Sequence, residues 1–174
     1  IYRNLHWKDS SNDMEETKNV LITGAAQGIG AGIAWAYGKA GYRVIAADLE
    51  GSPLQDTVRG LVAEGFNVAH AFVDVTDVDT LSRQIEEIDQ NNPLSTVVAN
   101  AGVAVEKPFA MVTETDFDQI FSVNVKGTYF TMQAAFRCMV NRGSGSIIAI
   151  ASTSSFAAST GQMSIYDSSK GAVR

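Results

Sequence analysis

Tyr166 and Lys170 stand four residues apart near the end of a 174-residue chain. On a helix, positions i and i+4 share a face, so the phenol and the ammonium would sit together. A cation beside a phenol favours its ionised form, which makes such a tyrosine usable as a general acid or base. Ser152, 14 residues before Tyr166, could hydrogen-bond a substrate oxygen. Thr153, Ser154 and Ser155 crowd it, and which hydroxyl acts stays open on chemistry alone.

A second group of residues suits a phosphate-bearing ligand. Thr23-Gly24-Ala25-Ala26-Gln27-Gly28-Ile29-Gly30 follows the apolar run Val20–Ile22 and leads into a helical pattern. A glycine-rich turn at a strand-to-helix junction lets the backbone approach a pyrophosphate, which then rests on the first N–H groups of the helix. A plain tight turn would use the same residues; position after the first strand favours the ligand. Asp48 closes the second strand, 18 residues beyond Gly30. An acid there can accept hydrogen bonds from an adenosine ribose and repels a 2′-phosphate. Helix capping is its competing role. Neither Gln27 nor Leu49 offers a positive charge, so the expected cofactor is NAD. Asp74, at the end of the third strand, could meet adenine or equally cap the next helix. Ala99-Asn100-Ala101-Gly102 places small residues where a ligand would cross the sheet edge. Asn124 lies among Phe121, Val123 and Val125. Asparagine is a mediocre helix former, so this one has either a specific side-chain partner or a place on the surface.

These residues need elements to position them. Val20–Ile22, Val44–Ala47, Val68–Val73, Thr96–Ala99 and Ser146–Ile150 read as short, continuously apolar strands. Ile33, Ala34, Ala36, Tyr37 and Ala40 recur at helical spacing before Gly41. Leu54, Val58, Leu61 and Val62 form one face of a second helix that follows a Ser52 cap and Pro53 and stops at Gly65. Leu81, Ile85 and Ile88 mark a third. One long helix is predicted from about Asp116 to Val140, and a last one from near Ser164. Alternating helices and fully apolar strands mean a parallel sheet covered on both faces. The expected fold is therefore α/β, a doubly wound Rossmann-like parallel sheet.

Composition narrows the function. Hydrophobic residues make up 45% of the chain and charged ones 18%, with a net charge of −6. That is enough for one core and argues against disorder. The acidic balance disfavours nucleic acid as a partner. No apolar run approaches the ~20 residues a membrane helix needs. Cys138 is the single cysteine, which excludes a disulfide scaffold and fits a reducing compartment. A soluble, cytoplasmic protein is expected. Ile1–Thr17 reads as a polar tail or cloning remnant, with Met14 a candidate natural start, and residues 18–174 as the dinucleotide-binding domain.

Taken in order, Thr23-Gly-x-x-x-Gly-Ile-Gly30, Asn100-Ala-Gly102, Asn124, Ser152 and Tyr166-x-x-x-Lys170 resemble the short-chain dehydrogenase/reductase family from about Lys18 to Arg174. The resemblance implies a strand order of 3-2-1-4-5 and a catalytic tetrad of Asn124, Ser152, Tyr166 and Lys170. Serine would orient the carbonyl or hydroxyl, tyrosine would transfer the proton, lysine would bind the nicotinamide ribose and assist the tyrosine, and asparagine would hold a water of the proton relay. It also implies that Gly24, Gln27, Gly28, Ile29 and Gly30 cradle the cofactor with Asp48, that Asp74 and Val75 border the adenine, and that Asn100, Ala101 and Gly102 support it. Three departures stand out. Ala99 replaces the first asparagine of the usual Asn-Asn-Ala-Gly. The serine-to-tyrosine spacing is one residue longer than the commonest form, and Ser152 stands ahead of Thr153 because the strand ends there. Family members also continue well past the lysine, so the chain is expected to be truncated before a sixth strand, with the fifth left as an unprotected edge.

The leading expectation is an NAD-dependent oxidoreductase that interconverts a secondary alcohol and a ketone, without a metal, as a homodimer or homotetramer at full length. A nucleotide-sugar epimerase or dehydratase would favour glycine at position 27, where Gln27 stands. A non-catalytic dinucleotide-binding redox sensor is a third reading, which an intact tetrad disfavours. Sugars, polyols, steroids and 3-oxoacyl thioesters all stay open as substrates.

Overall fold

The computed structural model describes residues 18–174; the tail expected over 1–17 lies outside them. Five parallel strands, β1 (Asn19–Thr23), β2 (Arg43–Asp48), β3 (Val68–Phe72), β4 (Leu94–Ala99) and β5 (Ser146–Ala149), pair in the order β3-β2-β1-β4-β5. This is the doubly wound sheet expected from the apolar runs.

Successive side chains of a strand point to opposite faces, and each face takes its own helices. Val20, Ile22, Val44, Ala46 and Val98 pack with Ala34 of α1 (Gly28–Lys39) and with Leu54, Val58 and Leu61 of α2 (Leu54–Ala63). Leu21, Ile45 and Val97 face Leu81 and Ile85 of α3 (Val78–Asn91) and Ala134, Ala135 and Met139 of α5 (Thr128–Val140). Runs without a polar residue are what a sheet covered on both faces requires. Among the described residues no helix is long and apolar enough to cross a membrane.

Three local readings change. Ser52 does not cap α2; its hydroxyl donates to the Leu49 carbonyl at 2.7 Å, and Pro53 takes the cap position. The fifth strand closes at Ala149, and it is an edge among the described residues, with Ile148 37% exposed despite the apolar run. The predicted long helix from Asp116 to Val140 is three segments: α4 (Glu114–Phe121), a π turn (Ser122–Gly127) and α5. The wider turn frees carbonyls and re-aims side chains, a frequent feature of functional sites.

The amino edge of the sheet is locked by ion pairing. Arg142, just past α5, makes two hydrogen bonds to Asp89 of α3, at 2.6 and 2.9 Å, and a third to the Leu94 carbonyl at the start of β4. Asp89 also accepts from the Leu94 amide at 2.8 Å. The Cys138 thiol beside this pair is pushed up to about 11 by burial first and by the Asp89 and Glu86 charges second, so it is no thiolate nucleophile near neutral pH.

A candidate active site at the carboxyl edge

Thr23 ends β1 at the carboxyl edge and begins the glycine turn. Its Oγ1 accepts from the amides of Asn100 and Ala101 at 3.1 and 3.2 Å. The Asn100 side chain in turn donates from Nδ2 to the carbonyls of Thr23 and Gly24 at 2.9 and 3.0 Å. The turn is thereby stitched to the end of β4, at the point where the strand order reverses, where open α/β sheets hold their ligands.

The three glycines do different work. A Cβ on Gly30 would lie 2.1 Å from the Gly24 carbonyl oxygen, and one on Gly24 would lie 2.7 Å from Ala101 Cα. Both are required by packing of protein on protein. Gly28 has φ +57° and nothing within 4 Å of a Cβ position, so it alone of the three presents open backbone to a ligand. Gln27, at the N-cap of α1, makes no side-chain cap, and the first turn carries no acid. Its uncapped N–H groups suit an anion. Gly30→Ala should therefore lower the melting temperature and abolish dinucleotide binding together. Gly28→Ala should weaken binding while costing only the strain of its left-handed backbone, about 1–3 kcal/mol. Parallel thermal and ligand titrations check this; equal melting temperatures for the two variants would count against it.

Asp48 is placed by β2 at the edge of the same cleft. Its Oδ2 accepts from the Ala26 amide at 2.9 Å and its Oδ1 from the Leu49 amide at 2.8 Å. It fastens the glycine turn and caps no helix. Asp74 accepts from the Thr76 amide and hydroxyl at 2.8 and 2.7 Å, and Asp77 caps α3 in its place. Asp48, Asp74 and Val75 all line the cleft, whose volume is about 600 Å³.

At the other end stands α6 (Ser164–Val173), carrying Tyr166 and Lys170, both lining the cleft. Lys170 is 4% exposed and donates to the Ile150 carbonyl at 2.8 Å. Its Nζ lies 5.8 Å from the Tyr166 ring centroid. Burial lowers the ammonium's pKa from its usual 10.5. Asn124, in the π turn, is fully buried: Oδ1 accepts from the Val103 amide at 2.8 Å, while Nδ2 donates to the Val103 carbonyl at 2.9 Å and to Ser169 Oγ at 3.0 Å. A surface position for Asn124 is thus corrected by a specific partner, as its poor helix propensity hinted. Ser152 is not gathered into the lining with Ile150 and Ala151. Its hydroxyl accepts from the Ser154 amide at 3.1 Å, capping the short turn Thr153–Ser155.

Several participants carried no signal of their own in the sequence. Ser169 joins the Tyr166 helix to Asn124, and Ser155 Oγ donates to the Lys170 carbonyl at 2.7 Å. Met163 lines the cleft from the segment before α6. That segment is held by the Lys107 amide donating to the Gln162 carbonyl at 2.8 Å and by Asp167 accepting from the Ser159 amide and hydroxyl, both at 2.8 Å. Lys107 also pairs with Asp116, whose carboxyl the Lys107 and Thr113 hydrogen bonds hold at about 2. Among the described residues no group of three or more His, Cys, Asp or Glu side chains could hold a metal.

The cleft fits a dinucleotide. β2, which carries Asp48, and β5, beside Lys170, are three strand spacings apart, roughly 14 Å. The open backbone at Gly28 and the uncapped start of α1 lie between a carboxylate at one end and a buried ammonium at the other.

The family described as short chain dehydrogenase matches residues 18–174. The chain is 33% identical over 155 residues to gluconate 5-dehydrogenase of Gluconobacter oxydans (strain 621H), covering 88% of this chain and 60% of that protein. It is 37% identical over 163 residues to (3R)-3-hydroxyacyl-CoA dehydrogenase of Mus musculus, covering 88% and 62%. A solved gluconate 5-dehydrogenase from Burkholderia cenocepacia J2315, in complex with NADP and tartrate, superposes with a TM-score of 0.82 at 30% identity, covering 90% of this chain and 61% of that one. The chain spans about three fifths of the length of these relatives.

Proposed function

Because the chain belongs to the short-chain dehydrogenase/reductase family, we propose that it serves an oxidoreductase that interconverts a secondary alcohol and a ketone, with NAD as cofactor and Tyr166 as general acid/base. The observation that carries this reading is the placement of Tyr166 and Lys170 on one face of α6, at the far end of a cleft that begins at the open Gly28 turn.

When bound, the nicotinamide supplies the hydride acceptor or donor. The remaining work falls to side chains. Uncapped amides at the start of α1 bind the pyrophosphate, and Asp48 takes the adenosine ribose hydroxyls. During oxidation Tyr166 accepts the alcohol's hydroxyl proton, and during reduction it returns one to the carbonyl oxygen. The Lys170 ammonium, with little water around it, favours the tyrosinate electrostatically and can donate to the second ribose. The Asn124 amide has both N–H groups engaged and one Oδ1 lone pair left for a water. Ser152, next in the chain after Ile150 and Ala151 of the lining, has a hydroxyl proton free to orient a substrate oxygen at the rim while its own oxygen accepts from Ser154.

Asp48 and Asp74 are the charged residues lining the adenine end, and Lys170 is the one cation of the lining among the described residues. A 2′-phosphate next to Asp48 would place like charges within a few ångströms. The protein should bind NADH more tightly than NADPH, and Asp48→Ser with a neighbouring arginine should reverse the order. Tighter NADPH binding by the unmodified protein would overturn the NAD assignment.

Turnover tests the whole reading. With NAD+ and a panel of sugar acids, polyols, 3-hydroxyacyl thioesters and steroids, at least one class should be oxidised. Dinucleotide binding by the full-length protein without turnover on any of them would favour the redox-sensor alternative.

A further inference from the structure

Gly127 closes the π turn with φ −58° and ψ −46°, ordinary helical values that any residue adopts. Glycine is a poorer helix former than alanine, so the backbone gives no reason for it. The surroundings do. A Cβ on Gly127 would lie 2.7 Å from Val75 Cγ2, 3.0 Å from Val75 Cβ and 3.2 Å from the Val75 carbonyl oxygen.

Val75 is itself a wall of the cleft. It is 7% exposed, lines the cavity beside Asp74, and packs on its other sides into the core formed with Val73, Leu81 and Ala135. Carbon atoms pack at about 3.5–4.0 Å, so a methyl at 127 would displace Val75 by roughly 1 Å. The core side is closed; the cleft is the open side. The π turn is also held from retreating: buried Asn124 ties it to the Val103 backbone at 2.8 and 2.9 Å and to Ser169 of α6 at 3.0 Å.

We infer that Gly127 is a positioning residue for the dinucleotide: its missing side chain seats Val75 at the depth that leaves room for the adenosine half. This rests on the dinucleotide reading above. The π turn thus sets two walls at once, Val75 through Gly127 and Val103 through Asn124.

The experiment compares the unmodified chain with Gly127→Ala and with Gly127→Ala/Val75→Ala, titrating NADH, ADP-ribose and reduced nicotinamide mononucleotide, with a melting curve for each variant. Gly127→Ala should weaken NADH and ADP-ribose about tenfold, the usual cost of overpacking expressed as affinity, and leave the mononucleotide unchanged. The double variant, which removes Val75 Cγ2, the nearest of the three obstructing atoms, should regain most of the ADP-ribose affinity and of the melting temperature. A merely structural glycine would weaken both half-ligands alike. Equal losses for the two, unchanged ADP-ribose affinity in Gly127→Ala, or a double variant that recovers neither affinity nor folding would each overturn the inference. Absence of NADH binding by the unmodified chain would instead remove the dinucleotide reading, and this inference with it.

Discussion

Tyr166→Phe should lower kcat by roughly 10²–10⁴, the usual worth of a positioned general acid/base, while changing NADH affinity less than twofold. The phenol oxygen has no hydrogen-bond partner among the described residues, and the residue lines the cleft, so its hydroxyl is free for substrate. Phenylalanine keeps the ring that faces Lys170 Nζ at 5.8 Å and leaves the Ser169 bond to the Tyr166 carbonyl, 2.7 Å, intact. The variant therefore removes a proton carrier and little else. Retention of more than a tenth of the turnover would assign the acid to another group, and Ser152 would be the first to examine.

Lys170→Met should separate stability from function. Turnover should fall by ~10²-fold or more, since both the tyrosine's assistance and a ribose contact are lost, and NADH affinity should fall with it. Thermal stability, however, should rise. The ammonium is 4% exposed with one carbonyl partner, the Ile150 oxygen, and a methionine of similar length buries no charge. The pH dependence follows from the direction of the shift. Burial lowers this lysine's pKa below 10.5 in the folded protein, so the unfolded chain binds the proton more tightly. Its unfavourable contribution is fully present below the folded value and is relieved as pH rises through that value towards 10.5. The melting-temperature advantage of Lys170→Met should thus be greatest near neutral pH and shrink on the alkaline side. A gap that stays constant from pH 7 to 10 would show that the charge is not what the fold opposes.

Other losses should be confined to one end of the molecule. The Asp89–Arg142 pair secures the amino edge of the sheet and the glycine turn the carboxyl edge. In open α/β sheets the ligand belongs at the carboxyl edge, so changes at Arg142 should register in melting curves before they register in cofactor affinity.

Sequence alone determined the strands and the Tyr166–Lys170 pair, because each rests on local spacing, whereas the sheet order came with the family resemblance. A run such as Val20-Leu21-Ile22 declares a doubly covered strand without knowing its neighbours, and four residues of helix place a phenol beside an ammonium whatever lies around them. Tertiary structure decided everything that depends on residues distant in the chain. Gly24 and Gly30 are packing glycines and Gly28 the open one, because Asn100 and Ala101, just past β4, press on Gly24, and Asn100 and the Gly24 carbonyl press on Gly30. Asn124 holds Val103 through a turn with one extra residue, which periodicity read as uninterrupted helix. Ser152 has its oxygen engaged by its own turn, which no residue count could show. Gly127 answers to Val75, whose place is set by β3 and the core beneath it. Periodicity reports which face of an element is buried; it carries no information about which atom of another element will meet that face, and hydrogen-bond partners and close approaches are decided only when the elements pack.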